Sequence, residues 1–146
     1  MKNQLLTIAV FIITFSGVMA QKSVPSVDSK GHLRYDQKVI GTLTSTGGID
    51  LTGHAMTTID HNGNIVDANG SIVGKAPKNG TFEFYTNGNE EKFTIGEPTH
   101  TGMCTVKNSK GKTVLLLHQS YKSQAACAIH CLYANHCMPA DMEHVH

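Results

Sequence analysis

The feature that most constrains this chain is a short recurring unit: an apolar residue, Asp, two variable residues and Gly. It stands at Val27-Asp28-Ser29-Lys30-Gly31, Ile49-Asp50-Leu51-Thr52-Gly53, Ile59-Asp60-His61-Asn62-Gly63 and Val66-Asp67-Ala68-Asn69-Gly70, with a looser copy at Val106-Lys107-Asn108-Ser109-Lys110-Gly111. The Asp side chain can accept hydrogen bonds from its own downstream backbone, and Gly takes the positive φ that closes a hairpin. Each copy is therefore an expected hairpin tip. A calcium loop is the competing reading, because Asp60, Asn62 and Asn64 crowd several oxygens together. The twelfth position of such a loop, which needs a bidentate Glu, is Ser71, so Asp28, Asp50, Asp60 and Asp67 read as turn formers.

Between the tips lie short runs of β-branched and aromatic residues at Lys38–Ile40, Asn64–Val66, Ser71–Val73, Thr81–Tyr85, Lys92–Ile95 and Thr113–Leu117. Several end in an apolar-Gly step, Ile40-Gly41, Val73-Gly74 and Ile95-Gly96, where equivalent positions are expected to bend or pack closely. The expected fold is mainly β: repeated short antiparallel hairpins in a flower- or barrel-like arrangement, with one C-terminal α-helix.

With Val39-Ile40-Gly41, the segment 59–67 and Gly70-Ser71-Ile72-Val73-Gly74, residues 25–118 resemble the small exported bacterial proteins called five-fold β-flower proteins. That resemblance implies hairpins radiating about a pseudo-axis. It implies no catalytic residues.

The N-terminus reads as a secretory signal over residues 1–20. Lys2 precedes an apolar run from Leu5 to Phe15, and Val18-Met19-Ala20 offers a small-residue cleavage site before Gln21. The expected location is secreted or periplasmic, with no stable membrane anchor after cleavage. Cleavage removes Lys2 and leaves acidic and basic side chains in balance, so nucleic acid is not an expected partner. A protein partner is not legible. The remainder divides into a hairpin-repeat region, 21–118, and a Cys/His-rich helix and tail, 119–146, packed on it.

That tail concentrates soft donors: all four cysteines and six of the nine histidines lie from His100 onward. The run from Tyr121 to Ala134 is rich in helix formers, with Ser120 as an expected N-cap and Asn135 as an expected C-cap. On a helix, Tyr121, Ala125, Ala128, Ile129 and Leu132 share one face, expected to pack on the β region. Cys127, His130 and Cys131 share the other. Positions i, i+3 and i+4 are neighbours, so these three could meet at one ion, with His136 or Cys137 as a fourth ligand. The donor types suit zinc, or copper if thiolate and thioether sulfur dominate.

Disulfides compete for the same sulfurs, since four cysteines in an exported chain commonly form two bridges. The expected pairing joins Cys104 to one helix cysteine and the other to Cys137, because an i, i+4 bridge between Cys127 and Cys131 would be strained. Two functional readings therefore stand: an exported, non-catalytic binding protein coordinating zinc or copper, and a structural or partner-binding β module stapled by disulfides.

Other motifs are weaker. His118 to Tyr121 read as a helix-capping turn, His100-Thr101-Gly102-Met103-Cys104 as a loop leading to a buried cysteine, and Gly111-Lys112-Thr113 as a lysine-decorated tip without the first glycine of a phosphate loop. No Gly-x-Ser-x-Gly elbow or other nucleophile context appears, so the chain reads as a non-enzyme.

Overall fold

In the computed structural model, which describes residues 23–86 and 88–133, eleven strands close into a barrel. They are β1 (Ser26–Val27), β2 (His32–Tyr35), β3 (Lys38–Thr44), β4 (Gly47–Ile49), β5 (Ala55–Ile59), β6 (Asn64–Asp67), β7 (Ile72–Lys75), β8 (Thr81–Thr86), β9 (Asn89–Ile95), β10 (Met103–Lys107) and β11 (Thr113–His118). Successive strands pair antiparallel, and the ring is closed by β1 against β11 in parallel, with Ser26 opposite Leu116 and Val27 opposite Leu117. Closure leaves no exposed sheet edge. The chain is thus mainly β with one C-terminal α-helix, α1 (Ala125–Tyr133). The expected signal peptide lies outside the described residues.

The Asp-x-x-Gly units form turns with one shared set of bonds. At Asp60, the side chain accepts from the Asn62 and Asn64 amides at 2.9 and 2.8 Å, while Gly63 N–H reaches the Asp60 carbonyl at 3.1 Å. Asp28, Asp50, Asp67 and Asn108 repeat this pattern. A sixth turn, Thr99 to Gly102, has the same backbone bonds but a Thr in the Asp place, which is why the motif does not reveal it.

A second bond also recurs. The carbonyls of Gly31, Thr46, Gly63, Gly80 and Gly102 accept from the amides of Leu43, Ile59, Ala76, Ile95 and Gln119, each at 2.7–2.8 Å. It ties each turn to the end of a strand further along the chain.

The apolar-Gly steps have a geometric explanation. In β3, β5, β7 and β11 the register slips by one residue at Ile40, Met56, Val73 and Val114. A bulge breaks strict alternation. Neighbouring residues can then both turn inward, as Ile40 with Gly41 and Met56 with Thr57 do. At Gly74 the backbone runs so close to β8 that a Cβ would lie 2.7 Å from the Glu83 carbonyl and 3.6 Å from the Ala126 methyl. Ile95-Gly96 bends without such a slip in the paired register, with Gly96 N–H bonded to the Thr105 carbonyl at 2.8 Å.

Several strands carry little of the expected signal. β4 begins Gly-Gly and β5 begins Ala-Met, so propensity alone does not mark them; their neighbours in the ring do. The core is one cluster in which barrel side chains such as Val27, Leu33, Ile65, Phe84 and Leu117 meet Ala125, Ala126, Cys127, Ala128, Ile129 and Cys131 of the helix.

Candidate functional site: the Cys/His helix in the barrel core

The helix enters through a 3-10 segment, Gln119–Gln124, rather than beginning as an α-helix near Tyr121. His118 caps that segment, accepting from the Ser120 amide through Nδ1 at 3.3 Å, so Ser120 is not the N-cap. Tyr121, at φ −114° and ψ 19°, departs from helical geometry. The Gln124 side chain donates to the Ser45 carbonyl at 3.2 Å and pins the entry to the turn between β3 and β4.

The expected two-faced helix is not what forms. From Ala125 to Cys131 every residue is buried, and the helix contacts β3, β4, β5, β7 and β8. The expectation had the helix pack on the β region through one face only, with the donors on the other. Here the sheet is closed, and a helix buried on all sides must be apolar or compact on all sides. The alanines and Cys127 satisfy that requirement by being small.

Cys127 shows how tight the fit is. A Cβ on Gly48 would sit 3.7 Å from the Cys127 Cβ and 3.1 Å from the Thr57 hydroxyl. Burial pushes the Cys127 thiol up to about 11, with the neighbouring Thr57 hydroxyl acting in the opposite direction. The metal-free thiol is therefore protonated at neutral pH.

His130 is 5% exposed and faces an aromatic wall. Its ring meets Phe84 edge-on with centroids 6.2 Å apart, Tyr133 meets Phe84 at 5.8 Å, and Phe82 stacks on Phe93 at 5.0 Å. Burial and the nearby Glu91 carboxylate raise the Tyr133 phenol to about 12.

One half of the expected cysteine pairing does not form. Cys104 and Cys127 are both free and buried, so the bridge from Cys104 to the helix is absent. Burial raises the Cys104 thiol, which bears out the reading of a buried cysteine on this strand. Cys131 is disulfide-bonded. Among the described residues, no group of three or more His, Cys, Asp and Glu side chains could hold a metal ion, so Cys127, His130 and Cys131 are not a three-ligand cluster. His136 and Cys137 lie outside the described residues.

The tips carry exposed chemistry of a simpler kind. The Thr52 hydroxyl donates to Asp50 at 2.6 Å and sits 2.6 Å from His54 Nδ1, and this bond from Thr52 is the main reason the Asp50 carboxyl lies below its ordinary range. At Asp28, partial burial pushes the carboxyl up, but amides of His32 and Lys30 and the Arg34 guanidinium together hold it below the usual value. Lys110 and Lys112 stand on the Asn108 tip, donating their amides to its side chain, as expected of a lysine-decorated turn.

One surface feature was not legible in the sequence. An open cavity of about 360 Å³ has walls from Pro77, Asn79, Thr94, Glu97, Lys122 and Ser123, which no motif links. Among the described residues, no helix is long and apolar enough to cross a membrane. No protein-family model, curated protein or solved structure matches the chain.

Proposed function

We propose that the chain is an exported, non-catalytic β module that serves as a structural or partner-binding scaffold, with its cysteines used for packing and stapling rather than for a zinc or copper centre. The observation that carries this reading is the complete burial of Ala125–Cys131 within the closed barrel. Donor atoms facing a core of aromatic and aliphatic side chains have no open coordination position to offer a substrate. Export rests on the N-terminal sequence. The five recurring turn-to-strand bonds support an arrangement of five hairpin units about the helix, the order that the resemblance to β-flower proteins implies.

Thiol counting with elemental analysis on the purified native protein tests the reading. Cys104 and Cys127 are expected to resist alkylation until the protein is unfolded, to react then without reductant, and to be accompanied by no zinc or copper. Stoichiometric zinc or copper, lost on Cys127→Ser or Cys131→Ser, overturns it in favour of coordination by Cys127, His130, Cys131, His136 and Cys137.

A further inference from the structure

We infer that the cavity bounded by the Lys78–Thr81 turn, the end of β9 and the 3-10 segment binds a small zwitterion, a molecule with one carboxylate and one ammonium group. Its polar walls include a single cation, Lys122, and a single anion, Glu97. Among the described residues neither takes part in an ion pair, although both line the same space. Both also act electrostatically on the buried Cys104 thiol, Lys122 in one direction and Glu97 in the other. Their charged heads therefore flank one region of the molecule rather than opposite ends of it.

The rest of the lining fits this class of ligand. Asn79, Thr94 and Ser123 supply neutral hydrogen-bonding groups, while Pro77 and Ile95 supply a small apolar floor. A volume of about 360 Å³ lies at the lower end of the range for small-molecule sites. An anion alone would meet Glu97 at close quarters, and a cation alone would meet Lys122. A zwitterion satisfies both charges and leaves the net charge of the site unchanged.

The position in the fold is also distinctive. Of the carbonyls that accept the recurring turn-to-strand bonds, Gly80 and Gly102 are separated by the longest stretch of chain. That interval contains Glu97, and the paired register between β9 and β10 covers only Ile95 with Val106 and Thr94 with Lys107. By contrast β8 and β9 pair along their whole shared length, from Thr81 with Thr94 to Thr86 with Asn89. The cavity opens beside this sparsely paired seam and beside the β7–β8 seam, which pairs only at Gly74 with Phe84, and departures from local regularity concentrate at functional sites.

Titration of the purified full chain with glycine and with glycylglycine, followed by amide chemical shifts and by calorimetry, tests the inference. Saturable binding of at least one of them, with shifts centred on Asn79, Thr94, Glu97 and Ser123, is the expected result. Lys122→Gln and Glu97→Gln should each weaken it tenfold or more, about 1.4 kcal/mol, while Lys110→Gln on a distant tip leaves it unchanged. N-acetylation or C-amidation of the same probe should weaken binding to the unaltered protein, which keeps the test valid even if a variant misfolds. The inference is overturned if neither probe saturates, if both charge variants bind as well as the parent, or if the acetylated and amidated probes bind equally well. It does not depend on the state of the cysteines, so its failure leaves the scaffold reading to be decided by thiol and metal analysis.

Discussion

The central helix and the hairpin tips place similar chemistry in opposite environments. On the helix, Cys127 and His130 are almost wholly inaccessible, and burial holds the Cys127 thiol protonated. On the tips, His54 and Asp50 meet water, and hydrogen bonds from the turn keep the Asp50 carboxyl charged. Desolvation disfavours charge in the first region; local donors favour it in the second. A donor atom's identity therefore says little about its role until its surroundings are known. The residues with the most suggestive chemistry are buried in the core, whereas the plainest ones, the turn aspartates, form a repeated polar network at the surface.

Perturbing the core tests this contrast most strongly. Phe84→Ala removes the ring that His130 and Tyr133 meet edge-on and should cost about 3–5 kcal/mol in chemical denaturation. A loss under about 1 kcal/mol would mean that the helix is not held by this wall. Next in size is Ala126→Leu, which adds bulk where the Ala126 methyl already lies within 3.6 Å of the Cβ position at Gly74. Overpacking there should cost about 1–3 kcal/mol, whereas the same change at a solvent-facing helix position would be nearly neutral.

A tip variant should have a smaller effect. Asp60→Ala deletes the acceptor for the Asn62 and Asn64 amides and should lower the urea midpoint by less than either core variant does, while Asp60→Asn, copying what Asn108 does naturally, should lower it less still. Equal losses from the two substitutions would show that charge, not the acceptor oxygen, matters at the tip.

The two regions should also respond to opposite ends of the pH scale. Asp28, Asp50 and Asp60 have folded values below the ordinary 3.8, so their contribution is present above that value and is lost as pH falls through the lower folded values. Cys127 works in the other direction: its thiol ionises near 9 when unfolded and near 11 when folded, so stability falls as pH rises between those values. Urea midpoints measured across pH should show both arms, with Cys127→Ala flattening the alkaline arm and Asp28→Asn reducing the acid one. An alkaline arm unchanged by Cys127→Ala would mean that another group, such as Tyr133, dominates it.

Much of the β region was legible because its signals are local. An Asp or Asn side chain bonds amides two and four residues on, and Gly takes positive φ three residues on, so the motif contains its own explanation. The strands with β-branched and aromatic residues were visible for the same reason. The Thr99 turn was not, because Thr stands in the Asp place, and β4, with Gly47 and Gly48, was not, because its role is assigned by partners elsewhere in the chain.

The candidate site was legible only as an inventory of donors. Helical spacing correctly predicts that Cys127, His130 and Cys131 are close along the chain, but it carries no information about what surrounds them. Whether that face meets water, metal or aromatic rings depends on walls contributed by β3, β4, β5, β7 and β8, segments far from the helix in the chain. Likewise Glu97 and Lys122 share a cavity only after the ring has closed. The sequence by itself determined the turns and the strand periods, because backbone hydrogen bonding and φ preferences act over a few residues. Only the tertiary structure decided burial, since burial is set by walls contributed by distant segments, and with burial it decided which donors stay neutral, which stay charged and which can meet a ligand.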